Sequence, residues 1–182
     1  MPLGTSPILM PLFRRRRLNR ARRDLWSTDE DEVLEALFAL SADRKTPPPL
    51  EIVERCAWLM LNHSDVDVRH QAVRYVGIMW ADCSAYEAVR AACEDTEEFV
   101  AVAAVSALTR FASKHRNDIG RRLAQIVQTR ASTEMRGAAY IGLLELDGRV
   151  SAAQRARLPD DIEQLDVDLE LVRRWSANRP SD

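Results

Sequence analysis

Few residues of this chain have the types and spacing that chemistry requires. Its histidines and cysteines are His63, His70, His115, Cys56, Cys83 and Cys93. No two of them follow the His-x-x-x-His or Cys-x-x-Cys spacing that presents a pair of metal ligands on one element. The odd number of cysteines argues against a disulfide framework and fits a reducing compartment. The sequence therefore predicts neither a metal ion nor another cofactor.

Motifs for phosphate binding and for hydrolysis are also missing from the sequence. It contains no glycine-rich loop that could hold a phosphate and no Gly-x-Ser-x-Gly turn. The carboxylates near the C-terminus are Asp160, Asp161, Asp166 and Asp168. They fit helix caps and solvated groups better than an acid–base pair. We therefore expect that the protein is not an enzyme.

Positive charge is concentrated at the N-terminus. Residues 1–23 contain seven arginines and no acid, whereas the other 19 basic and 28 acidic residues give the body a net charge of −9. These arginines are Arg14, Arg15, Arg16, Arg17, Arg20, Arg22 and Arg23. They could neutralise phosphates of a nucleic acid or contact an anionic membrane. The alternatives are a disordered tail or an artefactual start site, because Met10-Pro-Leu repeats Met1-Pro-Leu.

The rest of the chain has the pattern of an all-α protein. Apolar residues recur at intervals of three and four, and no stretch shows the sustained alternation of a strand. We expect a flexible apolar and basic arm over residues 1–26, one helical domain over 27–178 and a tail over 179–182. The predicted N-terminal helix caps are Asp166 and the pairs Ser27–Glu30, Ser84–Glu87 and Ser151–Gln154. Gly148 is predicted to end a helix in a left-handed conformation.

Three of the longer predicted helices are copies of one another. Val68, Ala72 and Val76 align with Val100, Ala104 and Leu108, and then with Met135, Ala139 and Leu143. The copies are 32 and then 35 residues apart. A period of this length is typical of α-solenoids.

The first copy, Asp65-Val-Asp-Val-Arg69 followed by Ala72 and Gly77, resembles HEAT-like repeats. The second copy departs from the motif, since Ala101 and Thr109 replace the arginine and the glycine. The resemblance covers about residues 50–147. It implies a right-handed α-solenoid of about three HEAT-like helix pairs with N- and C-terminal capping helices. In such repeats the second helix of each pair commonly lines the concave, ligand-binding side.

A helical wheel separates the roles of the residues in these copies. Arg69 falls inside the apolar arc, so we expect its head to brace a neighbouring turn through a carboxylate or carbonyl. The opposite side carries His70, Arg74, Ile78, Val102, Ser106, Arg110, Ile141 and Glu145. A partly apolar concave side is typical of a protein-binding surface. The alternative is that the C-terminal helices or the N-terminal arm cover it.

The sequence thus predicts a non-enzymatic protein–protein interaction module. An adaptor, an inhibitor or an immunity protein of bacterial type fits this architecture by analogy of fold, and the acidic body favours a basic partner. The alternative is a nucleic-acid-binding HEAT-like protein, similar to a DNA glycosylase or a tether, that uses the arginine-rich arm. Because the apolar segment precedes Arg14 and is short, no signal peptide is predicted and a cytoplasmic location is expected. The oligomeric state is not predicted.

Overall fold

The computed structural model of the chain describes residues 9–43, 45–129 and 131–177, with side chains from residue 16 onward. These residues form helices and turns and no strand. The helices are α1 (Leu9–Asp24), α2 (Glu30–Ser41), α3 (Leu50–Asn62), α4 (Val66–Ala72), α5 (Tyr86–Ala92), α6 (Glu98–Leu108), α7 (Ala112–Gln128), α8 (Thr133–Leu146), α9 (Ala152–Arg155) and α10 (Leu169–Ala177). A π-helical segment, Val73–Trp80, continues α4 without a break. Three 3-10 turns are Cys83–Ala85, Thr109–Phe111 and Ile162–Gln164.

The helices form two layers with the core between them. Helices of even number contact one another in chain order, α2 with α4, α4 and its π-helical continuation with α6, and α6 with α8. Each of them also contacts the helix that precedes it, and α10 packs on α7. Within the described residues, no helix combines the length and the apolar character of a membrane span.

The end of α1 belongs to the helical domain. Ala21 and Leu25 are buried in the main core, and α1 packs along α2. The sequence analysis assigned residues 1–26 to a flexible arm, so its domain boundary lies too far along the chain. Two apolar residues among seven arginines gave too weak a periodic signal for this helix. The predicted tail over residues 179–182 lies outside the described residues.

Aspartates cap three helical segments that the sequence analysis assigned to other residues. The observed caps are Asp29, Asp82 and Asp168, where the sequence analysis predicted Ser27, Ser84 and Asp166. At the first two positions a carboxylate outcompetes a nearby hydroxyl, because its full negative charge faces the positive end of the helix. The predicted Ser151–Gln154 capping box and the left-handed Gly148 are confirmed.

Arg69 joins two turns of the chain, as the helical wheel predicted. Its Nε and Nη2 donate to the Asp95 carboxylate at 2.8 and 3.0 Å. Its Nη1 donates to the backbone oxygens of His63 and Ser64 at 3.0 and 2.9 Å. The Arg69 and Asp95 side chains are 12% and 9% exposed. The guanidinium therefore ties the turn before α4 to the turn before α6.

We expect Arg69→Ala to lower the free energy of unfolding by about 3–5 kcal/mol, since it leaves the Asp95 carboxylate buried without a counter-charge. Urea titrations measure this loss. The matched control is Arg90→Ala, because the Arg90–Glu87 pair is exposed on both sides and should contribute at most about 0.5 kcal/mol. Equal losses in the two variants would contradict a bracing role for Arg69.

The Arg69–Asp95 pair should also make the free energy of unfolding depend on pH. Burial alone would raise the pKa of Asp95, but hydrogen bonds from Arg69 and from the Glu97 backbone, with the charge of Arg69, hold it below its usual value. A lowered folded pKa contributes stability above the unfolded value of about 3.9, and that contribution is lost as pH falls through the folded pKa. Wild type should therefore lose stability on acidification that Asp95→Asn has already lost at neutral pH.

Candidate protein-binding face

The predicted outward residues lie on three neighbouring helices. His70, Arg74 and Ile78 lie on α4 and its π-helical continuation, Val102, Ser106 and Arg110 on α6 and the turn after it, and Ile141 and Glu145 on α8. Because α6 contacts both neighbours, the three sets form adjacent rows. We call the first two rows the α4–α6 face; its residues are His70, Arg74, Ile78, Val102, Ser106 and Arg110.

The first row is built on the π-helical segment Val73–Trp80. Such wide turns are rare and occur frequently at functional sites. Gly77 lets this segment approach its neighbours, since a Cβ there would lie 3.1 Å from the side chains of Ala107 and Val89. The segment ends at Ala81, whose φ of 48° is the only left-handed value of a non-glycine residue in the described ranges. The backbone here is thus distinct from an ordinary helix end.

A groove opens between the two rows. Ile78, Met79, Trp80 and Arg110 line it, with a volume of about 290 Å³. The three apolar side chains are half-buried and pack against the core, whereas Arg110 is exposed. The groove therefore brings three half-buried apolar side chains beside an exposed cation.

An aromatic pair closes the other end of the face. The His70 ring meets the Phe99 ring edge to face, with centroids 4.9 Å apart. Burial lowers the pKa of His70, and the charge of Arg74 lowers it further, so the ring is neutral near neutral pH. The sequence analysis missed Phe99. It precedes Val102 and Ser106 by three and seven residues, and this helical spacing was the signal that could have found it.

The exposed charges of the face are positive. Arg74 and Arg110 are both exposed, and neither forms an ion pair or hydrogen bond within the part of the chain that the structure describes. A guanidinium has five N–H donors that match a carboxylate. The face can therefore bind an apolar group and an acidic group side by side.

The third row is buried at Ile141 and only partly exposed at Glu145. Ile141 is 2% exposed, and the Glu145 carboxylate accepts from Thr109 Oγ1 and Arg155 Nη1, each at 2.8 Å. The backbone of Asp160 crosses α8 at Gly137, where a Cβ would lie 1.8 Å from the Asp160 oxygen. The prediction that Ile141 contacts a partner is therefore wrong, because this side chain is buried. Contact through Glu145 stays a prediction, since its side chain is 18% exposed although Thr109 and Arg155 engage its carboxylate.

The N-terminal arginines divide into three groups. The side chains of Arg14 and Arg15 lie outside the described residues. The exposed arginines of α1 are Arg16, Arg17, Arg20 and Arg23, and Arg20 pairs with Asp24 at 3.2 Å. Arg22 turns toward the body, where its Nε is buried. Its side chain as a whole is half-buried, so it is less accessible to nucleic acid or membrane than the four exposed arginines.

Two observations bear on metal binding and on nucleophilic chemistry. In the described ranges, no three His, Cys, Asp or Glu side chains gather as a metal site would require. Burial raises the pKa of the Cys56 and Cys93 thiols to about 12, so neither is a ready nucleophile at neutral pH.

One cluster of titratable groups lies elsewhere, on α5 and α7. Tyr86 stacks on His115 at 3.8 Å and donates to Asp118 at 2.5 Å. Burial, followed by this carboxylate, raises the pKa of Tyr86, which keeps its proton on the phenol. The cluster therefore links the two helices rather than transferring protons.

Gly137→Ala tests whether the C-terminal segment holds the third row shut. Its Cβ would displace the Asp160 backbone, so we expect a loss of about 1–3 kcal/mol of stability and faster hydrogen exchange over residues 151–164. Mass spectrometry of exchanged peptides measures the second effect. The control is Gly142→Ala on the same helix, whose Cβ would meet the flexible Leu123 side chain. Wild-type exchange in Gly137→Ala would contradict the covering role.

Comparison of the chain with family models, with curated proteins and with solved structures finds no match. The resemblance to HEAT-like repeats therefore rests on the sequence motif, and the functional proposal rests on the geometry described above.

Proposed function

We propose that this chain is a non-enzymatic protein-interaction module, a right-handed HEAT-like solenoid that binds a partner protein on its α4–α6 face. The observation that carries the proposal is the groove of Ile78, Met79 and Trp80 beside the unpaired Arg110. The repeat period and the contacts among the even-numbered helices support the solenoid. An adaptor, an inhibitor and an immunity protein are the roles that suit it.

The residue types of the face support protein binding. Methionine, arginine and aromatic residues are enriched in the centres of protein interfaces. Met79, Trp80 and Arg110 meet in the groove, and Phe99 is 43% exposed at the far end. Half-buried apolar side chains gain further burial when a partner covers them, and each contributes in proportion to the area removed from water.

The charges act at two ranges. The acidic body attracts a basic protein from a distance and so speeds encounter. Contact is decided locally, where Arg74 and Arg110 require carboxylates. We therefore propose that the segment lying on the face is apolar and acidic, even where the rest of the partner is basic.

The test is capture of partners from the native host lysate by the full chain. Ile78→Asp combined with Arg110→Glu should reduce capture of specific proteins by about tenfold or more, as loss of a central contact does. Arg90→Glu, an exposed substitution on α5, is the matched control and should leave capture unchanged. Circular dichroism checks that each variant is folded. Equal capture by the wild type and both variants would overturn the proposal.

A second function is favoured by the order of α1. Four exposed arginines on a helix that packs along α2 form a fixed basic surface, as a nucleic-acid-binding HEAT-like protein would use. A duplex of about 20 base pairs should then bind with a log–log salt slope near −3 to −4, from about −0.9 per neutralised phosphate.

Changing Arg16, Arg20 and Arg23 to Gln should reduce that slope by about 3 units. Fluorescence anisotropy measures the binding. Arg173→Gln, an exposed arginine on α10, is the control and should keep the slope. No binding at about 50 mM salt, where phosphate contacts are strong, would rule out this second function.

A further inference from the structure

A second exposed apolar surface lies on α3, in the odd-numbered layer. Among the described residues, four of the seven exposed large hydrophobic side chains belong to it: Trp26, Leu50, Trp58 and Leu61, each 46–59% exposed. Leu50, Trp58 and Leu61 share one side of α3, since they are eight and eleven residues apart. We call these three residues, with Glu54 between them, the α3 stripe.

Arg55 holds the two indoles of this surface in place. Its guanidinium carbon lies 4.5 Å from the centre of the Trp58 ring and 6.0 Å from that of Trp26. Its Nε donates to the Leu25 oxygen at 2.9 Å. Cation–π contacts on two sides and a backbone bond fix all three side chains. A surface ordered in advance loses little entropy on binding.

Charged side chains of both signs on α3 form no ion pair within the described residues. Glu51 and Glu54 are exposed, and neither makes an ion pair or hydrogen bond in the described part of the chain. Arg55 uses only its Nε there, which leaves its terminal N–H groups free for a carboxylate. The helix thus carries both halves of a salt bridge but does not form it internally.

We propose that the α3 stripe binds the same stripe of a second copy, with the two α3 helices antiparallel about a two-fold axis. Leu50 begins the 13-residue helix and Leu61 lies near its end, so an antiparallel pair brings the apolar end of one against that of the other. The same operation places Glu51 and Glu54 of one copy near Arg55 of the other. A surface that complements itself in this way is what a two-fold interface requires.

The size of the surface sets the expected affinity. The helix is about 20 Å long, and Trp26 adds one side chain beside it. Such a pair buries an area near the lower end of specific interfaces, about 1,200 Å² in total. We therefore expect a dimer that forms between about 1 and 100 µM. This dimer uses none of the residues of the α4–α6 face, which lie on α4, its π-helical continuation, α6 and the turn after it.

Sedimentation velocity of the full chain over that concentration range tests the dimer. Leu61→Glu should shift the wild-type midpoint by about tenfold or more. Its side chain is half exposed, so the fold should tolerate it. Phe99→Glu is the matched control, since Phe99 is a similarly exposed apolar residue that contacts His70 of the α4–α6 face, and it should leave the midpoint unchanged.

Charge reversal tests the antiparallel arrangement. Glu54→Arg and Arg55→Glu should each weaken self-association by about tenfold, because like charges then face each other. Mixing the two variants should restore a dimer, because both contacts between positions 54 and 55 again join an arginine to a carboxylate.

Three outcomes would overturn the proposal. They are a monomer at about 100 µM, a dimer lost in Phe99→Glu but kept in Leu61→Glu, and a mixture of folded charge variants that stays monomeric. If Arg55→Glu unfolds, Leu61→Glu and Glu54→Arg still decide the outcome. A monomer that still captures partners through the α4–α6 face would refute this inference and leave the proposed function standing.

Discussion

The α4–α6 face depends on the Arg69 guanidinium, which is hydrogen-bonded to Asp95 and to the turn before α4. α4 runs straight into the π-helical segment, and Asp95 stands just before α6. The two rows of the face are therefore positioned by one guanidinium. Removing the Arg69 and Asp95 charges from water costs free energy. The four hydrogen bonds that the Arg69 guanidinium donates offset much of that cost. The result is that the helix pair containing α4 is held in a single orientation against the helix pair containing α6.

Much of the fold follows from periodicity alone. Val68, Ala72 and Val76 were predicted to face the core, and all three are fully buried. The role of Arg69 also followed, because a charge inside an apolar arc needs a nearby partner. The π-helical geometry could not be predicted in this way. Gly77 in this segment lies close to Val89 and Ala107, which come later in the chain, and no local propensity encodes such neighbours.

The residues of the candidate site were predictable only where no segment from a distant part of the sequence covers them. The wheel placed Ile78 and Arg110 on one side of the helices, and both line one groove in the structure. Extended by one turn, the wheel would have included Phe99. It failed at Ile141, because the segment that covers α8 comes from residues beyond Gly148. Arg22 differs from the other described arginines of α1 for a related reason, since its Nε is buried in the folded chain. A wheel describes one helix, whereas exposure is decided by its neighbours.

The π-helical turn makes the groove depend on chain length as well as on residue identity. Each π turn spans more residues than an α turn, so Val73–Trp80 holds a longer stretch of chain than an α-helix of the same height. Deleting one residue within it would let the segment close into tighter α turns and would change the direction in which its last side chains project. Met79 and Trp80 would then leave the groove although every side chain near it was retained. A single-codon deletion at this position would thus change the binding surface as much as several substitutions would.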